Sequence, residues 1–123
     1  MSKLLAIFIG GGLGSLVRFY FGTRWNVGTN QFPFGTFLAN FISSFVLGLL
    51  MAYYIANPDW KTNYRLFLMT GFCGGFSTFS TFSAEVFTLM KSDQLGLAFT
   101  YLGISILFGL LAIYLGMKVY GLR

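Results

Sequence analysis

Gly71-Phe72-Cys73-Gly74-Gly75-Phe76-Ser77-Thr78-Phe79-Ser80-Thr81-Phe82-Ser83-Ala84-Glu85 occupies the middle of the third long apolar segment of the chain, roughly residues 66–90. A membrane span is normally most hydrocarbon-like at its centre, yet this one is glycine, hydroxyl and phenylalanine. The Gly74-Gly75 pair weakens a helix, and the hydroxyls that follow bond to backbone and divert it from regular geometry. Irregular backbone at membrane depth survives only where protein buries it or water lines it. A break near residues 74–78 is therefore expected, and broken helices carry ion or substrate sites near the bilayer midplane.

The surroundings agree with a membrane setting. Of 123 residues, 56% are hydrophobic and only 9% charged, whereas a soluble domain carries about a quarter charged residues. Spans need roughly 20 apolar residues each, so the length suits four crossings with short loops and no soluble domain, residues 1–123 forming one unit. The first apolar segment is too long for a cleavable signal peptide and lacks a small-residue cleavage site. With no histidine and one cysteine, zinc chemistry is not expected, and Cys73 reads as a small buried hydrophobe. The net charge of +5 is spread over termini and loops; no run of it makes a nucleic-acid or headgroup patch, and it reads as membrane flanking.

The spans are expected at residues 4–22, 34–56, 66–90 and 95–116. In the first, Gly10 and Gly14 form a small-xxx-small pair for close helix approach. Arg18, in its last turn, either snorkels to the interface or lines an aqueous vestibule. Trp25, Trp60 and Tyr64 read as interfacial anchors, and Pro33 suits the first turn of the second span. There Thr36, Asn40, Ser44 and Gly48 recur every four residues on one side. Two roles are open for Asn40: packing glue between helices, or a pathway-lining donor. Tyr101, Ser105 and Gly109 share a face of the fourth span by the same spacing. Lys3, Lys61, Arg65, Lys118 and Arg123 fall on one side, against Arg24, Lys91 and, if its side chain reaches that surface, Arg18. So weak a bias fixes orientation poorly, and a chain that inserts both ways pairs antiparallel with its own copy. The polar faces also exceed what one narrow bundle can satisfy, which again points to a homodimer.

The residues offer no catalytic combination: no histidine or buried lysine stands ready to activate a serine, and Glu85 has no carboxylate partner. The chain is read as no enzyme. Permeation fits better. Hydroxyls, the Asn40 amide and the Tyr101 phenol all donate hydrogen bonds. Phe79 and Phe82 share a face; their ring edges are positive and their faces negative, so inward edges favour an anion and inward faces a cation. Space filling is the bland alternative. Conduction also requires binding weak enough to release the ion, which neutral donors provide.

Gly11-x-x-Gly14-x-x-x-Arg18, Gly35-Thr36-x-x-x-Asn40 and the stretch from Gly71 to Glu85 together resemble the bacterial Fluc (CrcB) family of fluoride channels. The resemblance covers the whole chain. It implies an all-α membrane protein of four transmembrane helices, the third broken mid-membrane, in the bacterial inner (plasma) membrane. It further implies a dual-topology antiparallel homodimer that passes fluoride passively out of the cytoplasm through two pores and rejects chloride. Carried onto this sequence, Phe79 and Phe82 are the pore phenylalanines with ring edges toward fluoride, Asn40 donates to the ion, and Tyr101 and Ser105 belong to a polar track with Ser80 and Thr81 nearby. Arg18 stands near the vestibule. A structural sodium ion (Na+) at the dimer interface is implied, held by backbone carbonyls of Gly74 and Ser77. Two departures stand out: Ser43 replaces the glycine usual three residues after the asparagine, and Ser77-Thr78 replaces a frequent Thr-Thr pair. A proton-coupled small multidrug transporter is the alternative; it needs a membrane carboxylate, for which Glu85 is the one candidate. A non-transporting assembly subunit is the third reading.

Overall fold

The computed structural model describes residues 1–28 and 30–121, all helix and short connections. Arg123, counted above among the flanking charges, lies outside the described residues. Among the described residues, three continuous helices are long and apolar enough to cross a membrane: α1 (Lys3–Trp25), α2 (Phe34–Ala56) and α5 (Leu95–Val119). The segment between them is a broken helix, as its composition suggested. Its first piece, α3 (residues 62–76), begins with an α-turn at Thr62–Arg65, widens to i→i+5 turns over Leu66–Cys73, and ends in a short turn at Gly74–Phe76. Its second piece is α4 (Phe79–Lys91).

The break sits at Ser77 and Thr78, not at the glycine pair. Gly74 keeps right-handed helical dihedrals (φ −65°, ψ −36°), whereas Ser77 (φ −79°, ψ 157°) and Thr78 (φ −152°, ψ 118°) are extended. The hydroxyls hold both sides of it. Ser77 Oγ donates back to the Cys73 carbonyl at 2.9 Å, and Thr78 Oγ1 accepts from Thr81 N–H at 3.1 Å, capping the start of α4.

The glycines serve close approach instead. A Cβ on Gly75 would run into the Gly11 carbonyl, and one on Gly14 into the Phe72 carbonyl. Gly10 meets the Phe67 carbonyl in the same way, so α1 and α3 lie backbone to backbone along the small-residue seam. On the other side of the bundle, Gly48 of α2 abuts the Ile113 carbonyl of α5, and Gly116 abuts the Phe45 carbonyl. Substituting alanine at any of these positions forces two helices apart.

Polar loops tie each end. Asn63 Nδ2 donates to the Met1 carbonyl, and Asn57 Nδ2 to the Tyr120 hydroxyl at 3.2 Å. The start of α1, the 57–63 turn and the end of α5 therefore share one end of the bundle. Tyr53 stacks edge-on against Trp60 and Tyr120 there. At the opposite end Pro33, the residue before α2, supplies no side-chain cap. Asn26 replaces it: its Oδ1 accepts from Gly35 N–H at 2.8 Å and Thr36 N–H at 3.3 Å.

Candidate functional site

The break turns α4 away from α3 and leaves a groove of about 640 Å³ between α2, α4 and α5. Asn40, Thr78, Phe79, Phe82 and Ser105 all line it. Phe79 is 81% exposed and Phe82 only 7%, with ring centroids 6.1 Å apart and planes inclined by 49°. Phe82 is seated edge-to-face on Tyr101 at 5.0 Å, so its ring is fixed by α5 while that of Phe79 stands free. Ser105 Oγ is buried and has no hydrogen-bond partner among the described residues. An unpaired hydroxyl at membrane depth costs about 1–3 kcal/mol, which a ligand or water in the groove removes.

Asn40 works as a clamp on the break. Its Oδ1 accepts from Thr78 N–H at 2.7 Å and its Nδ2 donates to the Thr78 carbonyl at 3.4 Å. One of the two amide hydrogens is engaged there, and Asn40 is also part of the groove lining.

The remaining candidates fall elsewhere. Thr81 lines a second groove of about 500 Å³, with Asn26, Gln31, Glu85 and Thr88. Ser80 is exposed, with its hydroxyl 3.4 Å from that of Thr78. Tyr101 is fully buried, and its hydroxyl donates to Glu85 Oε2 at 2.7 Å. Glu85 Oε1 accepts from Thr36 Oγ1 at 2.6 Å and, more weakly, from Asn26 Nδ2 at 3.5 Å. The four-residue stripe of α2 therefore divides: Thr36 serves Glu85, Asn40 serves the break, and Gly48 serves packing.

Arg18 is half-buried and is not part of the lining of the groove between α2, α4 and α5. Its Nε donates to the Gly75 carbonyl at 3.0 Å, placing a cation on the last turn of α3, where unsatisfied carbonyls and the helix dipole both favour one. Ser43, standing where a glycine was expected, donates its hydroxyl to the Cys73 carbonyl at 2.8 Å. The extra side chain thus pays for its space with a hydrogen bond beside the break.

The break also sets free two carbonyls. In a continuous helix Gly74 C=O would receive Thr78 N–H, and Ser77 C=O would receive Thr81 N–H. Here the first donor is directed to Asn40 and the second to Thr78 Oγ1. Two neutral carbonyl oxygens so released are suitable ligands for a hard monovalent cation, though a complete shell needs more oxygens than this pair.

A family model described as CrcB-like protein, Camphor Resistance (CrcB), matches residues 5–117. The chain belongs to the CrcB family. A relative in Acinetobacter baylyi is 40% identical over 97% of this chain and 94% of its own length. Another, in Pectobacterium carotovorum, is 45% identical over 79% of this chain and 76% of its own. Both bear the name fluoride-specific ion channel FluC. The CrcB family is one of ion channels and not of enzymes, and with its several apolar helices this member is a multi-pass inner-membrane protein.

The sequence gives no sign of Asn26 as a helix cap, and offers Glu85 only as the carboxylate of the transporter alternative, not as the partner of Thr36 and Tyr101. A carboxylate inside an apolar segment was the available signal for the second. For Asn26 there was none, because it caps α2 from across a loop and no local pattern marks that contact.

Proposed function

We propose that this CrcB-family chain is a passive fluoride-selective channel that lets fluoride leave the cytoplasm down its gradient and rejects chloride. Its working form is a dual-topology antiparallel homodimer with four spans per subunit and two pores. Phe79 and Phe82 flank each pore with ring edges toward the ion, Asn40 and Ser105 donate to it, and Tyr101, Ser80 and Thr81 border its path. Arg18 stands beside the approach, holding the end of the half-helix.

The observation that carries this reading is the Ser105 hydroxyl, buried without a partner in a groove whose other polar groups are uncharged. Fluoride is a small, strongly hydrated anion, and neutral donors replace its water without trapping it, as conduction requires. The names of the relatives agree with that permeant. Both oxygens of Glu85 already accept hydrogen bonds from within the chain, which disfavours the proton-coupled drug transporter.

The structural sodium ion belongs to the same proposal. The Gly74 and Ser77 carbonyls would hold it with their counterparts from the partner, and when bound it supplies positive charge that ties the two breaks together. The chain's own residues prepare that place: Asn40 and Thr78 take the amide hydrogens, Arg18 takes the Gly75 carbonyl, and Ser43 takes that of Cys73.

Purified protein in potassium-clamped liposomes tests the reading. Fluoride efflux with chloride retained is expected; well-folded protein that releases no fluoride, or releases both anions alike, contradicts it.

A further inference from the structure

Beyond Asn40 and Ser105 the groove continues toward Ser44 and Gly109, which also line it. Helices α2 and α5 run in the same direction, and their contacts define a register. Ser44 Oγ lies 4.0 Å from where a Cβ on Gly109 would stand, and one turn on, Gly48 abuts the Ile113 carbonyl. The same register sets Asn40 level with Ser105, and Thr36 level with Tyr101, both of which bond to Glu85. Successive rungs, four residues on, are about 6 Å apart. At the Gly48–Ile113 rung the backbones touch and the space closes.

Ser44 is thus the last hydroxyl before that closure. On α5 the polar face has lost its side chain at this level, because Gly109 offers only hydrogen. The Ser44 hydroxyl projects from α2 into the space so left. We infer that Ser44 is a further ion-contacting residue, donating its hydroxyl to fluoride at the narrow end of the groove, and that Gly109 keeps the room it needs. The inference rests on the fluoride reading above. It assigns a donor on the second span to a level where the fourth span has none.

The test compares fluoride efflux from liposomes containing wild-type, Ser44→Ala, Ser44→Thr and Gly109→Ala protein, each checked for its oligomeric state in detergent. Losing one hydrogen bond to a charged group is expected to slow Ser44→Ala by about tenfold or more, with Ser44→Thr staying near the wild-type rate because the hydroxyl is kept. Gly109→Ala folds, since the new methyl meets Ser44 at ordinary contact distance, and is expected to slow efflux by crowding that hydroxyl. As a second measurement, Ser44→Cys is treated with a charged water-soluble methanethiosulfonate. The introduced thiol is expected to react and efflux to stop, because thiolate forms only where water reaches; Cys73 is buried and gives little background. Wild-type efflux rates from both Ser44→Ala and Gly109→Ala, or an unreactive thiol at position 44, overturn the assignment and leave the channel reading intact. No fluoride efflux from wild-type protein overturns the channel reading itself.

Discussion

Asn40 of the second helix grips the backbone of Thr78 in the broken third span, accepting from its N–H at 2.7 Å and donating to its carbonyl at 3.4 Å. A side chain that faces the groove thereby also fixes the point at which the helix breaks. Asn40→Asp keeps the acceptor and loses the donor, so a carboxylate faces the Thr78 carbonyl. A repulsive charge in the groove is expected to abolish fluoride efflux, while Asn40→Ala is expected to lower the unfolding free energy by about 1–3 kcal/mol through the unpaired Thr78 amide. Thermal unfolding in detergent and liposome efflux separate the two effects.

Arg18 and the Gly75 carbonyl make the matching contact on the other half of the break. Arg18→Leu removes both the donor and the cation at the end of α3, at an expected cost of about 1–3 kcal/mol. The loss is read as a lower midpoint of thermal unfolding. An unchanged midpoint shows that the guanidinium does not support the half-helix.

The glycine seam gives a contrast within one residue type. Gly14→Ala drives a methyl into the Phe72 carbonyl and is expected to destabilise by about 2 kcal/mol or more, as overpacking does. Gly96→Ala meets nothing within 4 Å and is expected to be neutral or, by helix propensity, stabilising by up to about 1 kcal/mol. Expression level and unfolding midpoint of the two variants side by side test it.

Tyr101 and Thr36 satisfy opposite oxygens of Glu85. Tyr101→Phe leaves one oxygen short of a donor, and Thr36→Val leaves the other only the longer Asn26 contact at 3.5 Å. Each is expected to cost about 1–3 kcal/mol, and the pair to be non-additive by about 0.5–3 kcal/mol, because both act on one carboxylate. Additive losses show that the two hydroxyls do not share Glu85.

Much of this arrangement was legible in the residues. Hydropathy placed the second span at residues 34–56, the bounds of α2, because apolar run length depends on the bilayer alone. The break was expected within residues 74–78 and lies at its end, with the glycines turned to packing and the hydroxyls to bending. That division depends on what α1 places against each residue, and no local pattern carries it. The i→i+5 turns over Leu66–Cys73, where α3 lies backbone to backbone on α1, were not foreseen. The Asn26 cap and the Arg18–Gly75 contact were equally hidden: the first is made across a loop and the second joins residues distant in sequence, and a polar residue near a span end reads by default as interfacial.

Whether the second half of the broken helix forms the ion path is tested most directly by fluoride efflux through Phe82→Ile. Phe82 is held in place by Tyr101 and lines the groove. An aliphatic side chain of similar bulk keeps the packing but has no positive ring edge. The expected result is a protein with the wild-type elution volume whose efflux is sharply reduced. Efflux at the wild-type rate from that variant would remove Phe82, and with it the groove, from the path of the ion.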